Sequence, residues 1–253
     1  MPKQLYIGTS TWSQKDWVGN FYPHGTKPAD YLTEYAKRFS TVEIDSTFYA
    51  IPRKSVVEGW YDKTPPNFVF SAKFPQLITH EKRLLDALDA TKEFLDIISL
   101  LKEKLGCLVL QFPPDYAATP DTAQAMKAFL TALPTQAFRI AVEVRHRSWL
   151  KDGFFEHLRQ CRVALVLTDQ PVMRGVGVQT APFVYIRWLG NRKLLSEPFT
   201  KLVLDKTADM LAWARFIHSL ECETVFGYFN NHYAGHSPSS VEAFIKLYTS
   251  LAA

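Results

Sequence analysis

The chain has 253 residues, 47% of them hydrophobic and 21% charged, which excludes disordered and fibrous classes and suits one globular domain over residues 1–253. A net charge of +4 permits an anionic ligand without demanding nucleic acid. Cys107, Cys161 and Cys222 lie far apart in neither CxxC nor metal-ligand spacing, so they suggest free thiols in a reducing cytoplasm rather than a disulfide framework or zinc knuckle.

Short β-branched and aromatic runs recur from the first residues onward. They span residues 5–10, 41–49, 68–74, 107–112, 139–145, 163–169, 183–189 and 223–230. Helical periodicity fills most of the gaps, the alternation expected of βα units around a parallel sheet. Met1 to Ser10 runs straight into the first strand, and no stretch is apolar enough for a membrane span, so a cytoplasmic protein with no membrane partner is expected. Pro28 marks the start of the first helix. Phe94, Ile97 or Ile98, Leu101 and Leu105 form one helical face, with Gly106 placed as a left-handed cap. Asp209 to Leu220 gives another face through Leu211, Ala214 or Arg215, and Ile217; Ser237 and Pro238 read as N-cap and first-turn proline of the last helix. Residues 170–182, with two prolines and two glycines, show no helical face, so a loop replaces the helix after strand six. Eight strands at this spacing predict an α/β fold, a TIM-type (β/α)8 barrel. An open doubly wound sheet would advertise a glycine-rich first turn, and Gly8-Thr9-Ser10 is not GxGxxG.

Side chains two apart on a strand share a face, so polar residues at the last inward positions of barrel strands converge on one rim. Strand two offers Glu43, Asp45 and Thr47; strand three Ser71 and Lys73; strand four Gln111; strand five Glu143 and Arg145; strand six Asp169; strand seven Arg187; strand eight Tyr228 and Asn230. Such groups must be paired, wet or in use. The structural alternative is a ring of ion pairs, such as Glu43 with Arg145, that plugs the barrel. Trp12, Trp17, Tyr49, Trp149, Trp188 and Tyr233 lie beside the same ends, as stacking walls or as hydrophobic lids.

The words IGTSTW (7–12), VEIDSTFY (42–49), Thr79-His80, QFPP (111–114), EVRHRSW (143–149), YIR (185–187) and YFNN (228–231) with Gly235 together resemble the YecE-like family, a domain of unknown function. The resemblance implies a TIM-type barrel and supplies no activity. Two positions depart from the family's usual pattern: Thr11 stands where Gly is usual, and Asp45 where Asn is usual. An ionised Asp45 beside Glu43 would share protons with it or attract Lys73.

The leading expectation is a barrel that binds, and as an enzyme of hydrolase or isomerase type turns over, a small polar anion such as a sugar phosphate or nucleotide fragment. Glu43 and Glu143 serve as acid and base across the substrate, Asp169 orients one of them, and Lys73 joins Arg145 and Arg187 in holding the anion. Thr9, Ser10, Trp12, Asp45, His80, Gln111, His146, Trp149, Tyr228, Asn230 and Asn231 complete the binding set. Lys73 also admits Schiff-base chemistry, which the nearby carboxylates oppose by favouring the ammonium. No cofactor is predicted. A divalent metal is the open alternative, through His80, His146, His232, Glu143 and Asp169, although no HxH or HExxH spacing supports it. The competing class is a nucleic-acid-binding barrel, such as a metal-dependent phosphodiesterase or nuclease, prompted by Arg145 to Arg147 and Arg192-Lys193. Gly175 and Gly177 lack the lysine-serine ending of a phosphate loop, and no GxSxG occurs.

Overall fold

A computed structural model describes residues 3–173 and 175–251; the ends of the range 1–253 and one residue of the loop 170–182 lie outside the described residues. Eight parallel strands close into a barrel in chain order: β1 (Gln4–Thr9), β2 (Thr41–Ile44), β3 (Val69–Lys73), β4 (Leu105–Gln111), β5 (Ile140–Glu143), β6 (Ala164–Thr168), β7 (Phe183–Trp188) and β8 (Thr224–Phe229). Outside run α1 (Tyr31–Ala36), α2 (Lys54–Asp62), α3 (Leu88–Ile98), α4 (Pro120–Ala132), α5 (Asp152–Gln160), α6 (Thr207–Ser219) and α7 (Ser237–Ser250). Between β6 and β7 the only helical element among the described residues is a 3-10 turn, Pro171–Met173, in keeping with the predicted loop.

The strands bury both faces, as a parallel barrel requires. Two apolar clusters result. The larger lies between sheet and helices; the smaller fills the barrel axis with Val109, Ala141, Val166, Tyr185, Phe226 and Tyr228. Above that axial plug, inward positions turn polar at the C-terminal strand ends.

Several elements differ from their predicted form. β2 stops at Ile44, because the Thr47 hydroxyl donates back to the Ile44 carbonyl at 3.2 Å and accepts from the Lys73 amide at 3.2 Å, starting a 3-10 turn over Ser46–Phe48. Thr47 therefore leaves the inward row. β5 likewise stops at Glu143, leaving Arg145 beyond the strand. α3 ends at Ile98 with Phe94, Leu95 and Ile98 inward, and Gly106 is no helix cap. It sits where the β3–β4 register slips by one residue, and a Cβ there would lie 2.5 Å from Val69 Cγ1, so close approach explains the glycine. α6 buries Met210, Ala214 and Ile217 rather than Leu211. α7 is capped by His236, whose side chain accepts from the Ser239 amide, so Ser237 is already helical.

Candidate functional site

The polar strand ends surround a cavity of about 680 Å³ at the C-terminal face. Its floor is one guanidinium. Arg187, near the end of β7, is buried and donates through Nη1 to Glu143 Oε2 at 2.6 Å and to Gln111 Oε1 at 3.0 Å, and through Nη2 to Glu43 Oε1 at 2.8 Å. The other Glu43 oxygen accepts from the Tyr185 hydroxyl at 2.8 Å, and the other Glu143 oxygen accepts from Arg145 Nε at 2.6 Å. The plug foreseen as Glu43 with Arg145 is thus built differently. Arg187 bridges the carboxylates, and Arg145 extends the chain outward.

These pairings set the electrostatics. Burial pushes the Glu143 carboxyl up, but Arg187 and Arg145 outweigh it and hold the group at about 2. Burial lowers the Arg187 pKa, and Glu43 and Glu143 more than reverse it, so the guanidinium stays charged. Lys73 pairs with the Asp45 carboxylate. Its pKa nevertheless lies below the ordinary lysine value, because burial and then Arg187 outweigh Glu43 and Asp45. The expected effect of the carboxylates on Lys73 is therefore overruled by desolvation. His80, at the cavity wall, is also lowered, by burial and then by Arg145.

Of the predicted site residues, the structure brings Asp45, Lys73, His80, Gln111, Glu143, Arg145, Arg187 and Asn230 onto the cavity. Glu43 lies beneath it, fully buried under Arg187, so the two glutamates do not face each other across open space. Asp169 does not border the cavity; its carboxylate accepts from the amides of Leu189 and Gly190 at 2.7 and 2.8 Å. Burial raises its pKa despite those two donors.

The remaining predictions fall elsewhere. The Thr9 hydroxyl donates to the Thr11 carbonyl, and its amide bonds the Tyr35 hydroxyl. Ser10 accepts from Asn230 Nδ2 at 3.1 Å. Trp12 packs edge-on against Trp60 and Phe70. His146 caps the short turn Arg147–Trp149, and the Trp149 indole donates to the Tyr116 carbonyl while stacking on its ring. The Tyr228 hydroxyl donates to Ser71 Oγ within the barrel, and Asn231 Oδ1 accepts from the amide and hydroxyl of Ser237. Trp17, Trp188 and Tyr233 are core, leaving Phe48 and Tyr49 as the aromatic surface at the cavity.

Sequence reasoning missed Gln76, Gln170, Asn191 and Arg192 as cavity residues. Arg192 was legible only as part of a basic pair, because irregular loops carry no period that aims a side chain. Among the described residues, no three His, Cys, Asp or Glu side chains gather so as to hold a metal ion. Among them too, no helix is long and apolar enough to cross a membrane.

A closed barrel of eight parallel strands, with helices outside and a charged cavity at the strand C-termini, is a TIM-type (β/α)8 barrel. The chain belongs to the family described as "Protein of unknown function DUF72", whose model matches residues 6–252. It is 36% identical over 149 residues to the UPF0759 protein YecE of Escherichia coli K12, covering 59% of this chain and 51% of that protein. It is 32% identical over 160 residues to the UPF0759 protein YunF of Bacillus subtilis, covering 60% and 54%. The chain thus spans about half the length of the curated relatives it matches. Two crystal structures of DUF72 proteins share the fold: one from Enterococcus faecalis (TM-score 0.79, 22% identity, 97% of this chain and 96% of that one) and one from Thermotoga maritima (0.78, 24%, 98% and 99%). The family resemblance read from the sequence motifs is borne out, and none of these names states an activity.

Proposed function

We propose that the barrel mouth binds a small anionic molecule carrying hydroxyls, such as a sugar phosphate or a nucleotide fragment, and transfers protons on it as a hydrolase or isomerase does. The observation that carries this reading is Arg145. Its Nε is anchored on Glu143, while among the described residues its terminal nitrogens have no hydrogen-bond partner, and the side chain is only 32% exposed at the cavity. A fork fixed at one end and open at the other is pre-organised for phosphate or carboxylate. Lys73, Arg187 and Arg192 border the same space, against Asp45 and Glu143. Gln76, Gln111, Asn191 and Asn230 supply amide groups suited to hydroxyls.

Glu143 has both oxygens on guanidiniums, so in this reading it positions the arginines. Asp45, half exposed beside Lys73, is the carboxylate available for acid–base work. Calorimetric titration with inorganic phosphate, glucose 6-phosphate and AMP tests the reading. Binding should weaken on the order of 10- to 100-fold in Arg145→Ala, the loss of a charge-assisted contact, with circular dichroism unchanged. Absence of binding to every anion at low ionic strength, or equal affinity in the variant, would overturn it. A single-stranded oligonucleotide in the same panel tests the nucleic-acid alternative through its salt dependence.

A further inference from the structure

Among the described residues two lysines, Lys73 and Lys104, are buried, and they are held in opposite ways. Lys104 donates to the Tyr61 carbonyl at 2.6 Å, the Thr64 carbonyl at 2.7 Å and the Thr64 hydroxyl at 3.1 Å, so its ammonium is satisfied by fixed neutral acceptors. That is a structural lysine. Lys73 borders the mouth cavity with a side chain only 6% exposed, and the sole hydrogen-bond partner of its ammonium among the described residues is the carboxylate of Asp45. The face of the Phe48 ring lies 5.6 Å from its nitrogen, a cation–π contact that shields this side from water and favours the charged form.

We propose that Lys73 is a covalent catalytic amine that condenses with the carbonyl carbon of a small phosphorylated or carboxylated aldehyde or ketone held by Arg145. The inference rests on the anion site proposed above and names its substrate class. Asp45 takes one proton from the Lys73 ammonium, leaving a neutral amine. The nitrogen lone pair then forms an N–C bond as the carbonyl π pair moves to oxygen, which takes up the nitrogen's proton and yields a carbinolamine. Protonated Asp45 returns its proton to the hydroxyl, the C–O bond breaks, water leaves and a protonated imine remains. Nothing is oxidised or reduced, and hydrolysis reverses every step.

The surroundings suit each stage. Burial and the Arg187 charge depress the lysine below its ordinary value, which raises the share of free amine, while Asp45 supplies the proton relay within hydrogen-bond reach. An imine nitrogen that stays protonated keeps Asp45 paired, so the ion pair persists through the covalent stage.

The test is reductive trapping of the full-length protein with glyceraldehyde 3-phosphate or pyruvate and sodium cyanoborohydride, read by intact mass and peptide mapping. Lys73 should saturate with one adduct per chain, label about tenfold or more faster than exposed lysines such as Lys92 in the same sample, and be protected by inorganic phosphate. In Lys73→Arg the fast, saturable adduct should vanish while slow surface labelling persists. Labelling of Lys73 at or below the surface rate with both probes overturns the proposal within the wild-type protein alone, whatever the variant's folding. Phosphate binding that is lost in Arg145→Ala without any Lys73 adduct leaves the anion site standing and removes only the imine; an adduct without phosphate binding or protection overturns the Arg145-held substrate and the anion site with it.

Discussion

Glu43 and Glu143 share a single guanidinium: Arg187 donates to Glu43 Oε1 at 2.8 Å and to Glu143 Oε2 at 2.6 Å, with all three groups buried. Charges taken from water to this depth hold together only as a set. Arg187→Met should therefore destabilise the protein by about 3–5 kcal/mol, since buried Glu43 would lose its ion-pair partner and Glu143 would keep only Arg145. Adding Glu43→Gln should recover part of that loss rather than deepen it. Urea denaturation of the two single variants and the double variant measures the coupling, and strictly additive effects would show that the groups do not act as a unit.

The same network fixes an acid limit. The Glu143 carboxyl sits at about 2 in the fold against an ordinary 4.5, so its contribution is fully present above the unfolded value and drains away as the pH falls from about 5 toward 2. The shift corresponds to about 3 kcal/mol. Because other carboxylates also titrate there, the informative quantity is the wild-type slope of stability against pH minus that of Glu143→Gln. Identical slopes would mean that Glu143 is not held ionised by Arg187 and Arg145.

Much of the architecture was legible because eight hydrophobic runs alternate with helical periods and charges recur at run ends. Lys73, Gln111, Glu143 and Arg187 were found that way: each is an inward residue at or beside a strand terminus, where parity alone decides its direction. Parity cannot say how deep a residue lies. Glu43 and Tyr228 obey the same rule as Glu143 yet sit lower, bonded within the barrel, because barrel stagger offsets neighbouring strands. Nor does parity survive the strand, as Thr47 shows where a local turn redirects it, and for Asp169 the parity itself was misassigned: Ala164 and Val166 face the axis, so Asp169 follows Leu165 and Leu167 outward. The aromatic rim misled for a different reason. Trp17 and Tyr233 follow strand ends and Trp188 closes β7, as a stacking wall would require, but large rings also fill the junction between sheet and helices.

Asp45 raises the pKa of Lys73 while burial lowers it, so the pair is a measurable balance. Asp45→Asn should lower the Lys73 pKa further by removing the charged hydrogen-bond acceptor of its ammonium. The lysine's folded pKa lies below its unfolded value near 10.5, so its charged form opposes folding; stability from this group rises as pH climbs through the folded value toward 10.5. The asparagine variant should begin that rise at lower pH. Titration of the lysine Cε resonance by NMR in both proteins reads the shift directly, and an unchanged midpoint would mean that Asp45 does not govern the amine.

Between β6 and β7, where the described residues form no α-helix, the chain is held by backbone clamps instead. Asp169 accepts from the amides of Leu189 and Gly190, Gln170 Nε2 donates to the Gly190 carbonyl at 2.6 Å, and Gly190 itself is left-handed at φ +65°. A Cβ at Gly190 would lie 1.9 Å from the His232 carbonyl oxygen, so Gly190→Ala combines left-handed strain with overpacking against backbone and should cost about 3 kcal/mol or more. Asp169→Ala should cost about 1–3 kcal/mol by leaving two amides unpaired, and Asp169→Asn less, since one acceptor oxygen remains. A clamp and an acid–base group part company at asparagine: a clamp loses stability and some ligand affinity together, because Leu189 and Gly190 form part of the cavity wall. If Asp169→Asn instead kept full thermal stability and phosphate affinity while abolishing turnover of an identified substrate, Asp169 would belong to the chemistry and not to the wall.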